Sequence, residues 1–333
     1  MHKRDFIDLR SFSGEELEQI LQDAEAIKSG QKDVAQLLSG KTLGMLFSVA
    51  STRTRLSFLA GVRQMGGHAE YLNASDLQLK NRETIRDTAR VMDKFLDGLI
   101  VRMYDMNNYG SGREALETLA ANTSFPVINA LDDKDHPCQV MSDVLTMKEQ
   151  LGPDFRKKKV VLTWGFAQRQ KSPGVTHSMM SAAALLGMNL VLAFPEGFEP
   201  DAAYIDFAKA QAAISGGQLS FSHNMMEASE GADVIYVKSW KALNLSDEKE
   251  QEVKKTIRTD WCLSSRHFEV ANQDAVYMDC LPSIRGEEVT AEVKDGPRSI
   301  IFDEAGNRLH MQKAIMNFVF EKIKVPHNTP LFI

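Results

Sequence analysis

The sequence predicts an α/β protein made of two doubly wound parallel-sheet domains. Two observations predict it. Short apolar runs of strand type alternate with segments of helical period twice along the chain. Midway, "GPDFRKKK" (152–159) interrupts that alternation with a Gly-Pro pair and a basic run, as a domain boundary would. The 333 residues suffice for two domains of ordinary size. The expected units are 1–150 and 151–305, with a terminal helix over 306–325 that returns to the first.

Taken in order, "KTLGMLFSV" (41–49) reads as a strand, and 52–65 as a helix with Leu56, Leu59, Ala60 and Met65 at helical spacing. "HAEYLN" (68–73) is a strand. "ETIRDTARVMDKFL" (83–96) is a helix with Ile85, Ala89 and Met92 on one face. "GLIVRMY" (98–104) and "FPVINAL" (125–131) are strands, and 137–151 is a long helix. The second half repeats the theme. Strand "KVVLTW" precedes helix 176–187, and strand "NLVLAF" precedes helix 201–214. Strand "LSFSH" precedes helix "MEASEGA", and "DVIYVKSW" follows as a strand. "AVYMDCL" and "SIIFDE" (299–304) are expected as closing strands, before the amphipathic "NRLHMQKAIMNFVFEKI". In such sheets ligands lie beyond the carboxyl ends of the strands.

Composition narrows the function. Hydrophobic residues make up 43% and charged residues 25%, as in ordinary globular proteins. A net charge of −6 argues against a general nucleic-acid surface, so any anion site must be local. No apolar run approaches the roughly 20 residues that span a membrane, and the N-terminus lacks the apolar core of a signal peptide. Cys138, Cys262 and Cys280 are too few and too scattered for a disulfide framework or a zinc cluster, which points to the cytoplasm.

The chemistry concentrates at "STRTR" (51–55), where a strand gives way to a helix. Such a turn presents unpaired backbone N–H groups at the positive end of a helix dipole. Ser51, Thr52 and Thr54 add hydroxyls, and Arg53 and Arg55 add guanidinium forks suited to phosphate. A plain Ser51 cap with two solvated arginines is the alternative. The stretch is neither a P-loop nor a dinucleotide-binding glycine turn.

"STRTR" resembles the carbamoyl-phosphate loop of the aspartate and ornithine carbamoyltransferases. "LNASDLQL" (72–79), "ETIRDTARVM" (83–92), "HPCQ" (136–139), "DCLP" (279–282), "RGEEVT" (285–290) and "DEAGNRLHMQKAIM" (303–316) extend the resemblance over about 260 residues, in family order. The first domain would then bind carbamoyl phosphate and the second the acceptor. The resemblance implies that Ser51, Thr52, Arg53, Thr54, Arg102 and Arg308 hold the donor, and that His136 and Gln139 reach its carbamoyl group. Gln78 matches a position that enters a neighbouring subunit's site, which implies a homotrimer with shared sites. Leu131, Trp164, Lys238, Cys280 and Leu281 fall on the acceptor side. Arg102, His136, Gln139 and Cys280 are the expected catalytic group, Cys280 without a covalent role. The reaction implied is acyl transfer from carbamoyl phosphate to an ornithine-like amine, with no cofactor and no metal. A catalytically silent relative that binds a phosphate ligand, or a carbamoyltransferase for another amine or ureido acceptor, is the alternative.

The chain departs from the ornithine pattern on the acceptor side. "VKSWKALN" puts Lys238 where an aspartate is expected, and no S-M-G follows. A lysine repels an α-ammonium, so the change suits an N-acylated acceptor. The segment "GFAQRQKSPGVTHS" (165–178) has the length of the loop that knots the backbone in the N-acetyl- and N-succinylornithine enzymes, which this stretch resembles. An ordinary surface loop is the alternative. Asp279 stands where the family motif has histidine, and Glu288 lies near a lysine that is modified in the acetylornithine group.

Overall fold

Strands buried on both faces must be apolar throughout, and that is the pattern of the central strands here. The computed structural model describes residues 3–75, 77 and 83–321. The first half runs α1 (Gly14–Lys28), β1 (Thr42–Phe47), α2 (Thr52–Gln64), β2 (His68–Asn73), α3 (Ile85–Met92), β3 (Gly98–Arg102), α4 (Ser111–Ala121), β4 (Val127–Leu131) and α5 (Pro137–Leu151). The second runs β5 (Lys159–Trp164), α6 (Gly174–Leu186), β6 (Asn189–Ala193), α7 (Ala202–Ser215), β7 (Gln218–Ser222), α8 (Met225–Ser229), β8 (Val234–Lys238), α9 (Asp247–Ile257), α10 (Ser265–Val270), β9 (Val276–Met278) and α11 (Ala291–Lys294). Helix α12 (Ile301–Glu321) follows.

Both sheets are wholly parallel, in the orders β2-β1-β3-β4 and β7-β6-β5-β8-β9. Each therefore reverses its winding once, between β1 and β3 and between β5 and β8. Those are the points where an open α/β sheet leaves a crevice at its carboxyl edge. Central strand β8 is buried along its whole length, edge strands β2 and β7 keep partial exposure, and edge strand β4 is buried beneath the N-terminal segment, which bridges it at Phe6.

The principal core runs through both halves, from Phe47, Ile100 and Val144 to Leu162, Tyr236 and Ile315. A smaller cluster around Leu46, Leu99, Leu116 and Val127 lies between the first sheet and α3–α4. Helix α12 packs on α1, α2 and α5.

"SIIFDE" is not a strand. Ser299 makes a single parallel bridge to Tyr277, and the chain turns into α12 at Ile301. Asp303 and Glu304 sit in the first helical turn, where negative charge is favoured. Buried residues then recur at Ile301, Glu304, Arg308, Met311 and Ile315, a helical period that three apolar residues alone could not reveal. Helices α1, α4, α9, α10 and α11 are further elements beyond the sequence pattern described above.

Candidate active site

The two winding reversals face each other across a cavity of about 380 Å³. Its first wall begins at the end of β1. Ser51 has an extended backbone, and its hydroxyl accepts from Thr54 N at 3.3 Å, so it caps α2. Helix α2 therefore aims its amino end into the cavity, with Ser51, Thr52, Arg53 and Thr54 in the lining. Arg102, the last residue of β3, lines the same end and donates from Nε to Val49 O at 3.2 Å. Arg308 reaches it from α12, donating to Thr54 Oγ1 at 2.8 Å. Arg55 does not join the cradle; its guanidinium stacks 3.9 Å over the Tyr71 ring. One helical position separates it from Thr54, which rotates it about 100° away from the cavity.

Three guanidinium groups at one end of a buried cavity are an unsatisfied arrangement. Arg53 Nε and Arg308 Nε are buried without a hydrogen-bond partner among the described residues. Burial pushes the Arg308 guanidinium down to about 10, and Arg102 and Arg53 nearby add to the effect. A dianion between them would relieve the repulsion and complete the bonds.

His136 caps the start of α5, with Pro137 as the first helical residue. Burial holds its imidazole well below the ordinary histidine range, and Arg308 and Arg102 reinforce this, so the ring is neutral. Its backbone is fixed from the second half, since His136 N donates to Gly174 O at 3.1 Å and to Ser178 Oγ at 2.9 Å. The preceding Asp135 accepts from Ser178 Oγ at 2.7 Å, from Arg113 at 2.6 Å and from the Tyr204 hydroxyl. The turn carrying His136 is thus gripped by α6 and α7. Gln139 lines the cavity one turn along α5.

The opposite wall comes from the second sheet. Lys238 ends β8, is buried, and donates its ammonium to Ser239 O. Burial pulls it down to about 8. Cys280 and Leu281 also line this wall, whereas Leu131, expected beside them, is the last residue of β4 and lines the cavity from the first sheet. Burial pushes the Cys280 thiol up to about 12, so it is a neutral contact rather than a thiolate. Trp164, expected on the acceptor side, does not line the cavity. Its indole is fully buried against Phe198 and Trp261 and donates to Trp240 O at 2.9 Å. Gln78 lies outside the described residues.

Arg169 and Lys171, outside the motifs that suggest site residues in the sequence, also line the cavity from the loop after β5. Lys171 pairs with buried Glu288 and donates to Pro282 O at 2.9 Å. A signal existed in "QRQK", a charged run at the carboxyl end of a central strand.

Residues 4–149 match the model of the aspartate/ornithine carbamoyltransferase carbamoyl-P binding domain, and 160–319 that of the Asp/Orn binding domain. The chain belongs to the aspartate/ornithine carbamoyltransferase family. The ornithine carbamoyltransferase of Thermococcus kodakarensis is 43% identical over 324 residues, covering 97% of this chain and 98% of the relative. Among solved structures, the Pyrococcus furiosus ornithine carbamoyltransferase aligns with a TM-score of 0.86 at 41% identity, covering 97% and 99% of the two chains. An acetylornithine transcarbamylase, solved with acetylcitrulline, aligns at 0.87 with 33% identity, covering 94% and 98%. In this carbamoyltransferase the arginine cradle falls mainly within the first family model. Lys238, Cys280 and Leu281 fall within the second, as does Arg308, although it serves the first wall.

Proposed function

We propose that the cavity transfers the carbamoyl group of carbamoyl phosphate to the side-chain amine of ornithine or an N-acylated ornithine, giving a citrulline-type product and phosphate. The chain is a one-carbon transferase by family. The observation that carries the donor assignment is the convergence of Arg53, Arg102 and Arg308 on the amino end of α2. These groups would bind the phosphate and stabilise it as it leaves.

Neutral His136 would donate to the carbamoyl oxygen, where negative charge grows as the amine attacks. A donor so placed is worth about 10²–10³-fold in rate. Gln139 would hold the carbamoyl amide. The amine must arrive neutral, the tetrahedral intermediate expels phosphate, and the departing phosphate can accept the amine's proton. Residues 1–150 with α12 would serve the donor, and 151–305 the acceptor.

Lys238 favours the acylated form of the acceptor. An ammonium about 4 Å from an acceptor α-ammonium costs about 4 kcal/mol at an effective dielectric of about 20. An N-acyl group removes that second charge. A homotrimer, with Gln78 completing a neighbour's site, is part of the same proposal and rests on the sequence resemblance. The cytoplasmic setting rests on the scarcity of cysteine. The loop 165–178 is proposed to form a knot. That reading rests on the segment's length and on its resemblance to the N-acetyl- and N-succinylornithine enzymes.

The test is phosphate release from carbamoyl phosphate across ornithine, N-acetylornithine, N-succinylornithine and unrelated amines, with the ureido product identified. Turnover with an ornithine-type amine, lost in Arg53→Ala, is the expected result. Binding of carbamoyl phosphate with no turnover on any amine would instead make the chain a silent relative.

A further inference from the structure

Behind Gln139 lie two carboxyl groups with no part in the chemistry above. Asp143 stands one turn further along α5, and Glu304 on the first turn of α12; both are buried. Gln139 Nε2 donates to Asp143 Oδ1 at 2.7 Å and makes a longer contact of 3.5 Å to Glu304 Oε1. The remaining oxygens are occupied from the acceptor half. Tyr236, on β8, donates to Asp143 Oδ2 at 2.9 Å, and Asp279 N donates to Glu304 Oε2 at 3.0 Å. Burial raises both carboxyl groups, and their mutual interaction raises Glu304 further while lowering Asp143. The shared proton therefore belongs to Glu304, which donates it to Asp143.

That proton is committed to the carboxyl–carboxyl bond, so both groups meet Gln139 as acceptors. An amide facing two acceptors must turn its NH2 to them. Its Oε1 is then left for the cavity, where it has no hydrogen-bond partner among the described residues. An acceptor at that point can bind an N–H and cannot bind a methyl group.

We propose that Asp143 and Glu304 are positioning residues that lock the Gln139 amide with its carbonyl toward the cavity, and so make the donor site choose a carbamoyl NH2 over a methyl in the same place. The proposal rests on the reading of this cavity as the carbamoyl-phosphate site. A site built to accept a hydrogen bond rejects an isostere that lacks the donor, because its own polar group is left buried and unpaired. If the amide were free to turn, either end could face the ligand and the choice would weaken.

The probes are phosphonoacetamide and 2-oxopropylphosphonate, stable molecules that differ only in NH2 against CH3. Calorimetric titration of the full chain should show the amide bound at least about tenfold more tightly. Asp143→Ala should bring the two affinities towards parity. Asp143→Asn keeps the size and the fold, but its side chain can donate as well as accept, so the ratio should fall at least about threefold. Glu304→Gln mimics the protonated acid and should retain the wild-type ratio. A ratio within twofold of wild type in Asp143→Asn overturns the proposal, and that variant decides if Asp143→Ala does not fold. Wild-type binding of both probes with equal affinity overturns it too, while leaving the donor-site reading standing. Wild-type binding of neither overturns both.

Discussion

Replacing Lys238 with aspartate reverses a buried charge on the cavity wall proposed to hold the acceptor, without touching Arg53, Arg102 or Arg308. The wild-type ammonium is buried and within electrostatic reach of His136 and Cys280, with a backbone carbonyl as its hydrogen-bond partner. An acceptor α-ammonium about 4 Å away would be repelled by about 4 kcal/mol at an effective dielectric of about 20. Side-chain relaxation and the open mouth of the cavity reduce this to about 2 kcal/mol. Reversal removes that repulsion and adds an attraction of similar size, for a swing of about 4 kcal/mol. The ratio of kcat/KM for free ornithine over N-acetylornithine should rise by about 10²–10³. The assay is ureido-product formation under saturating carbamoyl phosphate, with each acceptor varied. Because Lys238 loses its proton near pH 8, the wild-type penalty on free ornithine is complete below that pH and fades as the pH rises through it. The variant should lack this dependence. An acceptor ratio within threefold of wild type would remove Lys238 from acceptor choice and refute the electrostatic reasoning.

Lys238→Met should stabilise the fold. Burial lowers this lysine from 10.5 to about 8, a penalty of about 3 kcal/mol that is complete below pH 8 and disappears as pH approaches 10.5. Urea denaturation at pH 7 should show the gain, and the gap to wild type should close at higher pH. Arg308→Gln removes a charge from the cradle and the bond to Thr54, so KM for carbamoyl phosphate should rise by about 10²-fold in steady-state assays. Unchanged KM would detach α12 from donor binding. In Gly174→Ala the new Cβ would lie 2.8 Å from the Asp135 carbonyl carbon, pressing on the turn that carries His136. The expected result is a loss of about 1–3 kcal/mol in stability and a fall of about tenfold or more in kcat. Wild-type kcat would show that this turn tolerates displacement.

Much of the site was legible in the linear sequence because it is local. The Ser51–Thr54 run is a helix cap that lines the cavity in four consecutive residues, and His136 and Gln139 lie one turn apart at a helix start that Pro137 announces. Alternating strands and helices, with an interruption at 152–159, also sufficed for two parallel sheets. Periodicity failed where the signal was short: "SIIFDE" has three apolar residues, too few to separate a strand from the start of α12. It also could not place Trp164, since an aromatic at a strand's end suits a ligand wall and a core equally well.

What the chain alone determined, then, is the local make-up of each wall: which residues offer donors to an anion, and which position carries a lysine in place of the expected aspartate. Only the folded molecule decided how the walls meet. Arg308 joins Thr54 across 254 positions, and Gln139 meets Glu304 across 165. Arg55 turns away to Tyr71 although it is next to Thr54 in sequence. The physical reason is that cap geometry and side-chain period act over a few residues. Burial, charge crowding and amide orientation depend on which distant elements pack together, and no local pattern carries that information.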